Sequence, residues 1–217
     1  KELTALHAVS PDSGHIDTLA QAIIDKQNTD TGQVYFGSGI YDDVLVLTAL
    51  GKTGKLAAID QAGALAYLNT FKHSHTDSWG SPAGAAWGGY YQEEPDLTAQ
   101  VLTALGYFSE AGDQNSEVYK SIQEGLTYLA DIQDADTAAV PAQWDSTFAT
   151  AETLIALKSL GQTYNDYAGA ASTWVKKSKT KTIAQCLLAL SQWSDGAERR
   201  DRLANLLAGR QKTSGPG

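Results

Sequence analysis

One helix is written four times in this chain. Residues 95–106 read PDLTAQVLTALG, a Pro-Asp start, a Gly stop, and Leu97, Val101 and Leu105 on one face at i, i+4 and i+8. Residues 147–161 read TFATAETLIALKSLG, and Thr98-Ala99-Gln100 aligns without a gap on Thr150-Ala151-Glu152. Residues 183–190, IAQCLLAL, repeat the register, and residues 41–51, YDDVLVLTALG, share the ending. A pattern that recurs at this period means stacked units, because each bears an apolar face that it cannot bury alone.

Between these B helices lie amphipathic A helices. They are expected over 16–27, 56–72, 118–133, 164–179 and from 199 onward, with Asp17 or Thr18 capping the first. Residues 1–15 read as a lead-in of one or two helical turns before Ser10-Pro11-Asp12-Ser13-Gly14 breaks the chain, and 16–217 as one repeat domain. No period-2 run flanked by turns stands out, so the expected class is all-α. The connection 73–95, HSHTDSWGSPAGAAWGGYYQEEP, is long for a compact domain, and loops of that length are often functional.

Charge and cysteine narrow the chemistry. A net charge of −9 disfavours nucleic acid and anionic membranes, which need a basic face. No apolar run is long enough for a transmembrane helix. The single cysteine, Cys186, lies in an apolar helix and reads as a small core residue. His73 and His75 are the only histidines near one another, a weak metal signal, so neither a metal nor a cofactor is expected. The chain starts at Lys1 and contains no Met, which fits a processed or excised form, and its composition leans toward an extracellular or cell-surface location.

The A-helix ending Tyr-Leu-x3-Gln/Lys (Tyr67-Leu68 with Lys72, Tyr128-Leu129 with Gln133) is followed by Ser78-Trp79-Gly80 or Gln143-Trp144. With the TA…LxALG inner helices, it resembles the QW-type repeat of squalene and terpene cyclases and prenyltransferase-like domains. The resemblance covers residue 16 to the C-terminus through degenerate motifs that persuade by repetition. It implies an α/α toroid with B helices in an inner ring and A helices outside. About four and a half pairs are present against the usual six, so an open or incomplete ring is expected.

That superfamily is not uniform in function. Its cyclases protonate an alkene with an aspartic acid from a D-x-D-D-T-A motif, and the nearest match is Glu94-Pro95-Asp96-Leu97-Thr98-Ala99. Asp96 would be the acid and Glu94 its neighbour, but Leu97 replaces the last acid; both carboxylates could equally cap the helix. The string Asp134-Ala135-Asp136-Thr137-Ala138 is closer in letters but precedes its helix by too far. The Asp/Cys/His zinc set of prenyltransferases, the thioester run of complement-like domains and the Cys/His-rich sites of lanthionine cyclases have no counterpart here. Transcobalamin-like and bacterial surface proteins carry similar repeats without catalytic residues. The reading is therefore a non-catalytic binding or scaffold domain of a larger, exported protein, for a small-molecule, glycan or protein ligand. An isoprenoid cyclase using Asp96 is the alternative, and a polysaccharide-lyase-like enzyme a weaker one. Trp87, Tyr90 and Tyr91, beside Glu93, are the ligand candidates. Trp79 joins them unless, like Trp144, it is a structural tryptophan of the repeat. Tyr41 and Asp42 lie at a B-helix start, with Asp43 beside them, as ligand contacts or an acidic cap.

Overall fold

The computed structural model describes residues 2–30, 32–37, 39–163, 180–193 and 197–209. The helix expected over 164–179 lies outside them. The described chain is mostly helical, as the repeats require. It divides into two compact units, Lys1–Tyr128 and Leu129–Gly217, with the boundary inside one helix.

The N-terminal unit opens with α1 (Glu2–Val9) and α2 (His15–Ile24). The expected lead-in is thus a helix, and it is integrated: Leu3 is buried and α1 packs on α2 and on α3. Neither Asp17 nor Thr18 caps α2; the cap position is Gly14, without a side-chain bond. The B helices α3 (Ile40–Lys52) and α5 (Pro95–Leu105) pack on each other. Between them come a single 3₁₀ turn (Leu56–Ala58) and α4 (Gln61–Asn69). The one long helix expected over 56–72 is broken because Asp60 leaves the helical region and caps α4 afresh, its Oδ1 accepting from the Gly63 N–H at 3.1 Å. α6 (Glu117–Asp131) follows.

The all-α expectation needs one correction, since two hairpins interrupt the helices. β1 (Asn28–Asp30) pairs antiparallel with β2 (Gln33–Tyr35) around Gly32, whose φ of 80° suits the turn. β3 (Lys72–Thr76) pairs with β4 (Pro82–Trp87), with an irregularity between Ser74 and Thr76. These strands have three to six residues. β4 is Pro-Ala-Gly-Ala-Ala-Trp, without a β-branched residue, so alternation has nothing to show itself on. Ala83, Ala85, Ala86 and Trp87 are all buried, because β4 packs on α5 and runs against α6. The approach to α6 is backbone to backbone: a Cβ on Gly84 (φ 99°) would stand 2.2 Å from the Glu124 carbonyl oxygen.

The C-terminal unit contains α7 (Ser146–Ser159), α8 (Thr180–Ser191) and α9 (Ala197–Ala208), with α8 packed against both others. Asp145 caps α7 through its Oδ1, which accepts from Phe148 N–H at 3.0 Å, and its Oδ2 accepts from the Thr182 hydroxyl at 2.6 Å. Cys186 is buried in α8, as its neighbours require.

Two of the B helices, α5 and α7, are buried nearly all round. In α5 the buried set runs Pro95, Leu97–Ala99 and Val101–Leu105, and in α7 it is Thr147 and Ala149–Leu157. Alanine and threonine at those positions let neighbours approach closely, as in helices enclosed by others. One position of the repeat recurs in role as well as in letter. Thr98 Oγ1 accepts the Trp87 N–H at 2.9 Å, and Thr150 Oγ1 accepts the Val140 N–H at 3.0 Å. Asp43, which aligns with Thr98 through the Thr-Ala-Leu-Gly ending shared by residues 48–51 and 103–106, accepts the Phe36 N–H at 2.7 Å. Each tie anchors the segment that leads into its helix, and those to Trp87 and Val140 satisfy backbone donors that would otherwise be buried unpaired. The fourth copy has Ile183 there and no such acceptor.

Candidate functional site

The start of α5 collects the polar chemistry of the N-terminal unit. Glu94 occupies the cap position, but its side chain makes no capping bond to the helix. It turns back instead. Oε1 accepts the N–H groups of Tyr90 and Tyr91 at 2.7 and 2.8 Å, and Oε2 accepts the Tyr41 hydroxyl at 2.5 Å. One carboxylate therefore holds three donors and clamps residues 88–92 onto the first turn of α3. Such charge-assisted bonds are short and strong. The Tyr41 phenol is pushed well above its ordinary value, by burial first and then by its bond to Glu94. The turn is tight enough that a Cβ on Gly88 would lie 1.7 Å from the Tyr91 carbonyl oxygen.

On that clamped turn the Tyr90 ring is 86% exposed, tilted against the Tyr41 ring at 5.5 Å between centroids. Tyr91 is 42% exposed. Glu93 meets His75 of β3, Oε1 to Nδ1 at 2.9 Å, an ion pair when the imidazole is protonated. His75 in turn packs edge-on against Tyr128, at 4.9 Å between centroids. Tyr128 is sealed from solvent, and its phenol is pushed up by burial and then by the charges of Glu93 and Asp96.

Asp96 is half-buried in the first turn of α5, and Asp42 is exposed in the first turn of α3. Trp79 stands 91% exposed in the β3–β4 turn, whose loop is braced by Asp77 Oδ1 accepting from Trp79 and Ser81 N–H. The tryptophans exchange the roles expected of them. Trp79 and Trp144 (80% exposed) do not pack as buried structural residues, whereas Trp87 does: it is fully buried, ends β4 and lies against Gly125. Trp87 is thus withdrawn from the ligand candidates. Glu94, Tyr41, Tyr90 and Tyr91 are brought together; Asp42 and Trp79 make no contact with that cluster through these bonds.

Three residues named in the sequence take roles there that the sequence reading did not assign. His75 was visible only as half of a His-Ser-His string, and Tyr128 only as a repeat signature. Asp43 had the better signal, its alignment with Thr98 and Thr150. It is 1% exposed, burial pushes its carboxyl up to about 6, and its Oδ2 finds no hydrogen-bond partner among the described residues.

Asp134 Oδ1 accepts from the N–H groups of Asp136 and Thr137 and from the Thr137 hydroxyl, so the D-A-D-T-A string forms a local turn. Among the described residues no group of three or more His, Cys, Asp or Glu side chains is arranged to hold a metal ion, and no helix is long and apolar enough to cross a membrane. No protein-family model matches the chain, and neither curated proteins nor solved structures yield a match.

Proposed function

We propose that this chain is a non-catalytic binding domain, built as an incomplete α/α toroid within a larger, exported protein, and that it takes a neutral glycan on the face formed by Tyr90, Tyr91 and Glu93. The observation that carries this reading is the Glu94 clamp. Glu94, the carboxylate expected to stand beside a cyclase-like acid, is committed to holding a loop, and that loop displays an exposed tyrosine on a rigid support. An aromatic ring held rigidly in solvent stacks on the C–H face of a sugar at little entropic cost, and neighbouring carboxylates accept hydroxyl donors. The net charge of −9 favours a neutral ligand over a polyanion.

The acid–base readings have less support. Tyr128, the phenol nearest the His75–Glu93 pair, is 1% exposed and closed to a substrate. Asp96, half-buried at the start of α5, does not line the cavity of about 390 Å³ that α4, residues 108–110 and the start of α6 form in the N-terminal unit.

Titration of the protein with neutral oligosaccharides, followed by amide chemical shifts, tests the proposal. Saturable shifts should centre on residues 88–94. Tyr90→Ala should weaken binding about tenfold or more with the fold intact, and Asp96→Asn should leave it unchanged. Turnover of a polyprenyl substrate that Asp96→Asn abolishes would replace this reading with the cyclase one.

A further inference from the structure

Beyond the loop face, the N-terminal unit carries a second row of aromatic rings. Tyr35 of β2 stacks on Tyr67 of α4 at 5.0 Å between centroids and 21° between planes. Phe71, just past α4, meets Tyr67 edge-on at 5.3 Å. The row packs β2 on α4, yet all three residues are only half-buried, so each keeps part of its surface in solvent. An aromatic side chain that is partly wet presents apolar area to a ligand without having to be uncovered first.

Two links tie this row to the loop face. The first is the glycine pair Gly88-Gly89. The Gly88 N–H donates to the Phe71 carbonyl at 3.1 Å, and a Cβ on Gly89 would stand 2.6 Å from the Tyr41 ring. Gly89 is exposed and has no side chain to separate the two rows. The second link is Asp42, which follows Tyr41 in the chain and is exposed. Its charge reaches the Tyr67 phenol, which is held above its ordinary value by burial first and then by Asp43, Tyr35 and Asp42. The loop face is itself one-sided. Tyr41 stands against one side of Tyr90 at 5.5 Å between centroids, and Tyr90 is nonetheless 86% exposed, so its open side suits a ligand that lies across the ring.

We infer, resting on the glycan reading above, that the site takes the interior of a linear neutral polysaccharide, laid from Tyr90 past Gly89 and Asp42 to Tyr67 and Phe71. A pyranose chain offers apolar C–H faces and hydroxyl edges in turn. The two rows of rings match the faces, and the exposed Asp42 carboxylate between them accepts from the edges. A disaccharide reaches one row only, whereas a longer chain engages both and gains from the second contact as an intramolecular event.

The test titrates the full chain with gluco-, manno- and xylo-oligosaccharides, each from the disaccharide to the hexasaccharide, read by amide chemical shifts. For the series that binds, disaccharide shifts should stay within residues 88–94, and hexasaccharide shifts should spread to residues 35–37, Asp42, Tyr67 and Phe71. Affinity should rise about tenfold or more along the series. A longer chain also gains statistically, through its extra registers on a single row, so two variants decide the matter. Asp42→Ala, at an exposed position, and Tyr67→Leu, which keeps an apolar filling but removes the ring, should each weaken the hexasaccharide about fivefold or more and leave the disaccharide unchanged. Tyr90→Ala should weaken both. Shifts confined to residues 88–94 at every length, or a hexasaccharide affinity unchanged by both Asp42→Ala and Tyr67→Leu, would overturn this inference and leave the loop face standing. Absence of saturable shifts with every oligomer would remove the glycan reading and this inference with it.

Discussion

Asp43 stands in the repeat where Thr98 and Thr150 stand, and does their work at a cost they avoid. All three accept a backbone N–H from the incoming segment, but only Asp43 carries a charge into a fully buried position. Its folded-state carboxyl, pushed up to about 6 from an ordinary value of 3.8, favours the protonated form. Stability from this residue is therefore fully present below about pH 4 and lost as pH rises through 6, a loss on the order of 3 kcal/mol at neutrality. Asp43→Asn should raise stability at pH 7.5 by about 1–3 kcal/mol and flatten the pH dependence between 4 and 7, as denaturant melts will show. A variant that keeps the wild-type slope would place the responsible charge elsewhere. At the uncharged positions, Thr98→Val leaves the Trp87 N–H buried and unpaired, and should cost about 1–3 kcal/mol in the same assay.

At the scale of elements, the β3–β4 hairpin depends on Gly84. Its φ of 99° disfavours any side chain, and the Glu124 carbonyl oxygen occupies the space a Cβ would need. Gly84→Ala should destabilise the chain by about 2 kcal/mol or more, visible as a lowered thermal midpoint, while helical circular dichroism below the transition stays unchanged. This hairpin also marks where sequence reading fails. The helices were legible because ten or more residues of 3.6-period burial outweigh local noise: those expected over 118–133 and 147–161 are found at Glu117–Asp131 and Ser146–Ser159. A six-residue strand of alanine, glycine and proline carries no such signal. Trp87 looked like a loop aromatic because nothing local shows that its strand is pressed onto α5. Glu94 looked like a helix cap because Tyr41, the partner that turns its side chain away, lies 53 residues back in the chain.

At the scale of the molecule, burial is uneven in a way that predicts motion. α5 and α7 are enclosed along most of their length, whereas α1 and α9 each bury a single apolar side chain, Leu3 and Leu203. Amide exchange should be slowest in α5 within the N-terminal unit and in α7 within the C-terminal unit, and fastest in α1 and α9. Exchange in α5 as fast as in α1 would mean that α5 is not the stable frame of its unit.

The tie made by Asp43, Thr98 and Thr150 has a consequence for engineering. It reaches back seven, eleven and ten residues respectively, so the same anchor closes segments of different length and content, an extended hairpin strand in one repeat and an irregular stretch in another. Helix register is thereby insulated from loop length. A connection can be lengthened, shortened or exchanged between repeats, provided that the backbone N–H arriving at the anchor is kept. The repeat is in this sense a socket, and at Ile183 the fourth copy carries a side chain that has no acceptor to offer.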